Sequence, residues 1–174
     1  MFDIKRKVSI PLLINIFSLF QIALVHPGGK EPWCGGSLVS SQHVLTAAHC
    51  THGHTVTSVE LLVGEHDTTD EVADRHTISA IIPHPSYNHT SKDFDFAILT
   101  LENPVDISDT VGLVCLPDSA ASLYTDSVAT VTGWGDTSSE GPSPSITLQE
   151  VNVTIISNEV CINSWGNQIN RSAV

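Results

Sequence analysis

Positive charge is scarce in this chain. Seven Lys and Arg stand against nineteen Asp and Glu in 174 residues, a net charge of −12. Three of the seven, Lys5, Arg6 and Lys7, crowd the N-terminus, so positions 8–174 keep four basic residues against eighteen acidic ones. Such a surface repels a phosphate backbone and argues against a nucleic-acid partner. It favours basic partners and salt-sensitive association instead. Cysteine is sparse as well: Cys34, Cys50, Cys115 and Cys161 include no CxxC pair, which argues against a structural zinc knuckle. Four cysteines allow two disulfides in three pairings. No internal repeat is evident. Charged residues make up 15% and hydrophobic ones 41%, a composition that folds rather than stays disordered, at a length suited to one domain with a real core.

The N-terminus reads in more than one way. Lys5-Arg6-Lys7 precedes the uncharged stretch Val8–Val25, as in a signal peptide or a marginal membrane anchor. Its second half, Phe20-Gln21-Ile22-Ala23-Leu24, alternates like a strand before His26-Pro27-Gly28-Gly29 turns the chain. Residues 1–19 are therefore set apart as a signal-like or foreign segment. Sequons at Asn88, Asn152 and Asn170 add a second hint of secretion.

Beyond residue 20 the pattern is all-β. Short apolar runs are expected to form strands at Gly35–Val39, His43–Ala47, Ser58–Val63, His76–Ile82, Phe96–Leu101, Val128–Thr132 and Leu148–Ile156. Turn residues separate them, as in a sandwich or barrel. Ser157 is placed to cap a short helix through Cys161.

Two residues stand out chemically. Thr46-Ala47-Ala48-His49-Cys50 sets a histidine just after a strand, behind small residues that allow close packing. Cys50 can pair with Cys34, a bridge stabilising by roughly 3 kcal/mol in the chain-entropy account. Asp95 stands between Phe94 and Phe96 at the mouth of an apolar strand, and a partly buried carboxylate needs a donor. A histidine N–H would serve, and would fix the imidazole tautomer needed for general-base work.

With these residues in view, the chain resembles the trypsin/chymotrypsin family of serine endopeptidases. The matching strings begin with Trp33-Cys34-Gly35-Gly36-Ser37-Leu38, Leu45-Thr46-Ala47-Ala48-His49-Cys50 and Gly64-Glu65-His66-Asp67. They continue with His84-Pro85-Ser86-Tyr87-Asn88, Asp95–Leu101, Val114-Cys115-Leu116-Pro117 and Gly133-Trp134-Gly135, all in the family's order. The resemblance implies a chymotrypsin-like pair of Greek-key β-barrels over residues 20–174, the first complete and the second partial. By the same carry-over His49 is the general base, Asp95 orients it, and Cys34–Cys50 is the neighbouring disulfide. Triad catalysis in this family is a standard example.

The departures are equally informative. The family's nucleophile sits in a Gly-Asp-Ser-Gly-Gly string after Gly-Trp-Gly, and that string is absent from the 174 residues. A whole domain of this type takes about 200–250 residues, so the expectation is a fragment lacking the nucleophile and inactive alone. Cys115 and Cys161 match cysteines whose family partners are not in this sequence. The family's activation start is missing too, Val8-Ser9-Ile10-Pro11 standing near its position.

Cofactors are not expected. His52-Gly53-His54, with His43 and His49 near, suggests zinc only until His49 is assigned to catalysis. The loop Glu65–Asp74 corresponds to one where some trypsins bind calcium, but Arg75 falls where they place a later carboxylate, so the expected reading is a solvated acidic loop. The function expected is that of a secreted, extracellular serine endopeptidase acting on proteins or peptides, with protease inhibitors as further partners and no membrane association. The alternative is a non-catalytic homologue that binds or regulates.

Overall fold

The computed structural model describes residues 19–70, 74–116, 124–138 and 143–165. Six strands, β1 (Gln21–Val25), β2 (Cys34–Ser40), β3 (His43–Thr46), β4 (Glu60–Val63), β5 (Asp74–Pro83) and β6 (Ala97–Leu101), close into a barrel. Its order is β1-β2-β3-β6-β5-β4, every neighbour antiparallel. Closure leaves no free edge. Two further strands, β7 (Val128–Gly133) and β8 (Gln149–Thr154), pair as an antiparallel sheet. The expected all-β double-barrel architecture is thus present as one whole barrel and part of a second.

The barrel is filled by the inward faces of its strands. Ile22, Leu24, Leu38, Val44, Leu61, Ile78, Leu99 and Leu101 are fully or almost fully buried, and Val105 and Val111 join the same cluster. Gly36 of β2 is required by this packing: a Cβ there would stand 2.6 Å from Val44 Cγ1 and 3.1 Å from Leu45 O. Gly64 takes φ +66°, a left-handed conformation that lets the chain turn out of β4.

All five residues of β1 are buried, although their alternation predicts one wet face. The outer face, Ala23 and Val25, packs against Leu62 and Trp134, with Leu148 alongside. Trp134 Nε1 donates to His66 O (3.3 Å), Thr132 Oγ1 donates to Gln21 Oε1 (2.7 Å), and Leu148 N donates to His66 O (2.7 Å). These contacts dock the second sheet on the barrel. Elsewhere in this sheet Val128 and Val131 are exposed, Val128 at 69%, while Ala129, Val151 and Val153 are half-buried.

Strand boundaries differ modestly from expectation. Ser58 closes a 3-10 turn (Val56–Ser58) rather than opening a strand, because the Thr55 and Ser58 side chains each bond the other's backbone. Phe96 precedes β6 instead of opening it. Among the described residues the chain forms helices α1 (Ala48–Thr51) and α2 (Asn158–Trp165), and α2 runs past Cys161, with Val160 N donating to Ser157 Oγ as expected of the cap (3.2 Å). Among the described residues no helix is long and apolar enough to cross a membrane.

Candidate active site

The site is built on the pairing of β3 with β6. Thr46 sits opposite Ala97 in that ladder. His49 follows Thr46 by three residues and Asp95 precedes Ala97 by two, so both leave the barrel at the same end. Thr46 Oγ1 donates to Gly35 O (2.7 Å), and buried Ala48 lets α1 turn tightly against the core. Thr51 Oγ1 closes the turn on Ala48 O (3.0 Å).

Asp95 takes His49 with both oxygens. The His49 backbone N–H donates to Oδ1 (2.7 Å), and ring Nδ1 lies 2.6 Å from Oδ2. Burial pushes the Asp95 carboxyl up, but the bonds from the His49 side chain and backbone, the His49 charge and that of Lys92 outweigh it. The group is held below its ordinary value and stays ionised. Facing a carboxylate, Nδ1 carries the ring proton and Nε2 keeps its lone pair. The His49 side chain is 49% exposed and that of Asp95 21%.

Cys34 and Cys50 are disulfide-bonded with Cα atoms 6.1 Å apart. Cys50 Sγ lies 3.5 Å from His49 Nε2, so the bridge adjoins the imidazole. Cys115 and Cys161 are free thiols.

The remaining histidines disperse. His43 Nδ1 bonds Ser40 Oγ (2.8 Å), His54 stacks on Trp33 at 4.5 Å, and His52 stacks on His89 at 4.0 Å. They do not converge on a common point. Among the described residues the close group with metal-ligand atoms is Cys34, His49 and Cys50, whose two sulfurs are bonded to each other. In the acidic loop Asp67 Oδ1 accepts from Thr69 N and Oγ1 (2.8 and 2.6 Å), and Glu65 Oε1 accepts from His66 N (3.1 Å). Arg75 turns away, donating to Glu60 Oε2 (3.0 Å) and Gly29 O (2.7 Å). Glu71 lies outside the described residues.

Sequence reasoning missed the wall beside the dyad. Between β5 and β6 the chain forms a loop in which Asn88 bridges to Asp93, and Lys92 and Phe94 adopt positive φ. His84 stacks on Phe94 at 4.7 Å and meets Phe96 edge-on at 4.7 Å, so the phenylalanines flanking Asp95 pack together on one ring. Tyr87 and His89 reach His52 from the same loop. Their abundance of aromatic rings is visible in the sequence, but their partners are not.

The sequence model of the Trypsin family matches residues 17–174. The chain belongs to the trypsin family. It is 34% identical over 147 residues to the trypsin of Saccharopolyspora erythraea, covering 84% of this chain and 63% of that protein. To the venom serine protease of Polistes dominula it is 35% identical over 161 residues, 88% of this chain and 56% of the other. A third relative, transmembrane protease serine 11G of Mus musculus, is 34% identical over 143 residues, 81% and 34% of the two chains. The chain thus spans less than two-thirds of the length of these curated relatives.

Proposed function

We propose that this chain supplies the base-and-orienter half of a serine endopeptidase. His49 Nε2 accepts the proton of a serine hydroxyl as its oxygen attacks a peptide carbonyl, then returns it to the leaving amine. Asp95 fixes the tautomer that leaves Nε2 free and stabilises the imidazolium formed in between. The observation behind this reading is the two-point hold of Asp95 on His49, at the backbone N–H and at Nδ1.

The nucleophile is assigned outside these 174 residues, because the sequence holds no Gly-Asp-Ser-Gly-Gly string. The substrates are proteins or peptides, with protease inhibitors as further partners, and the chemistry needs no cofactor. The N-terminal segment set apart above is read as signal-like or foreign to the fold, ahead of an extracellular domain. A disulfide beside the active histidine suits that oxidising route.

A fluorophosphonate probe with mass mapping tests the assignment, alongside hydrolysis of Arg, Phe and Ala esters. The 174-residue chain should give neither labelling nor turnover. Both should arise when a segment carrying Gly-Asp-Ser-Gly-Gly completes the chain, and His49→Ala should abolish them. Stoichiometric labelling of a serine within residues 1–174 would overturn the placement of the nucleophile. Full turnover in the His49→Ala variant would overturn the base.

A further inference from the structure

The three Asn-X-Ser/Thr triplets are chemically alike in sequence but stand in different structures. Asn170 lies outside the described residues. Asn152 is in the middle of β8, opposite Thr130, whose Oγ1 donates to its Oδ1 (2.8 Å). Asn88 stands in the exposed loop between β5 and β6. Its Oδ1 accepts from Thr90 N (2.9 Å) and Ser91 N (3.2 Å), and the Nδ2 amide takes no part in either bond. Asn88, His89 and Thr90 are all exposed.

Both bonds to Oδ1 reach only two and three residues ahead. They need no other strand to form, whereas the surroundings of Asn152 require a completed β7–β8 pair. With Oδ1 engaged by the turn, Nδ2 stays out of both bonds on an exposed residue. The backbone is pinned as well, Lys92 N donating to Asn88 O (2.8 Å) and Asn88 N to Asp93 O (3.0 Å).

The position matters for the dyad. Asp93 is two residues from Asp95, and His89 stacks on His52, three residues from His49. Lys92 Nζ lies 3.4 Å from His89 Nδ1 in the same cluster. The geometry points to Asn88 as the acceptor of an N-linked oligosaccharide that screens this edge of the dyad from macromolecules. In the transfer, Asn88 Nδ2 bonds to the anomeric carbon of a polyprenyl-diphosphate oligosaccharide. The carbon–oxygen bond to the diphosphate breaks, the diphosphate leaves with the electron pair, and one amide proton is released. This inference rests on the extracellular route proposed above, because the donor is met only on that route.

The test expresses the full chain in insect cells, once as it stands and once behind an unrelated secretion leader. Non-reducing peptide mapping reads Cys34–Cys50, and enzymatic deglycosylation, which converts an occupied Asn to Asp, reads Asn88 by mass spectrometry. Occupied Asn88 with an oxidised Cys34–Cys50 pair is expected from both. Bare Asn88 behind the added leader, with the disulfide formed, overturns the acceptor assignment while leaving the route intact. Free thiols in the chain without the leader overturn the route, and with it the natural occupancy. Screening is read with added trypsin, a macromolecule that cleaves after exposed Lys92. Cleavage should be lost in the glycosylated chain and restored by Thr90→Ala, which removes the sequon but keeps the Asn88 side-chain bonds. Equal cleavage of both overturns the screening.

Discussion

Asp95 binds His49 at two points, one on the main chain and one on the ring, so it sets both the placement of the residue and the tautomer of its side chain. Removing a single oxygen's charge leaves the first function largely intact and upsets the second. Asp95→Asn should therefore preserve the fold but turn the amide NH₂ or oxygen towards Nδ1 without regard for the base. In a catalytically complete form, turnover should fall by about 10⁴. Nitrogen-15 spectra of the imidazole check the cause directly: Nδ1–H in the native protein, a shift towards Nε2–H in the variant.

The same pair sets an acid limit. Asp95 has a folded value below its ordinary 3.8, so its contribution to stability is fully present above 3.8. It is lost as pH falls through the lower folded value. Acid titration of native stability should show wild type losing its advantage over Asp95→Asn only below about pH 4. An advantage already gone at pH 6 would contradict the depressed value.

Glu65 behaves in the opposite sense. Burial raises its carboxyl above the ordinary 4.5 against the bond from His66 N, with the carboxylates of Asp70 and Asp67 adding to the rise. Its protonated form is favoured on folding, so the stabilising contribution is present below 4.5 and lost as pH climbs through the higher folded value. Glu65→Gln keeps an acceptor for His66 N. It should be more stable than wild type at pH 7 by denaturant titration, with the difference vanishing below about pH 4.

Severing the disulfide should be costly but local. Cys34→Ser with Cys50→Ser removes a loop closure of 16 residues. Urea unfolding should report a loss of about 3 kcal/mol. The His49 ring, which adjoins Cys50 Sγ, should lose its single orientation in the same variant.

Gly36→Ala tests the tight β2–β3 contact. The added methyl would meet Val44 Cγ1 at 2.6 Å and the Leu45 carbonyl at 3.1 Å. Overpacking of this kind costs about 1–3 kcal/mol. Leu99→Ala leaves a cavity at a fully buried site and should cost about 2–5 kcal/mol. Equilibrium unfolding of both variants measures the two effects.

Where a residue's surroundings are set by its own strand, the sequence was a good guide. In β6 the alternation of Ala97, Leu99 and Leu101 with Ile98 and Thr100 matches burial residue by residue. His49 and Asp95 were legible because each sits at a fixed offset from a strand end, and the ladder between those strands brings them together. In β1 the same reasoning misjudged one face, since Trp134, far along the chain, covers it. The Ser58 boundary was misplaced because reciprocal Thr55 and Ser58 bonds outweigh the β-propensity of Val56, Thr57 and Val59. The histidine partners could not be read at all. They depend on a loop whose path turns on two positive-φ residues, Lys92 and Phe94, with no glycine to announce it.

Every strand of the barrel, and both members of the dyad, lie between Gln21 and Leu101. During synthesis every residue of this stretch is joined to the chain before the first residue of β7. His49 and Asp95 can therefore be in register before β8 has been translated. What arrives later, Trp134 above all, seals the outside of β1 around a dyad that the first hundred residues already hold.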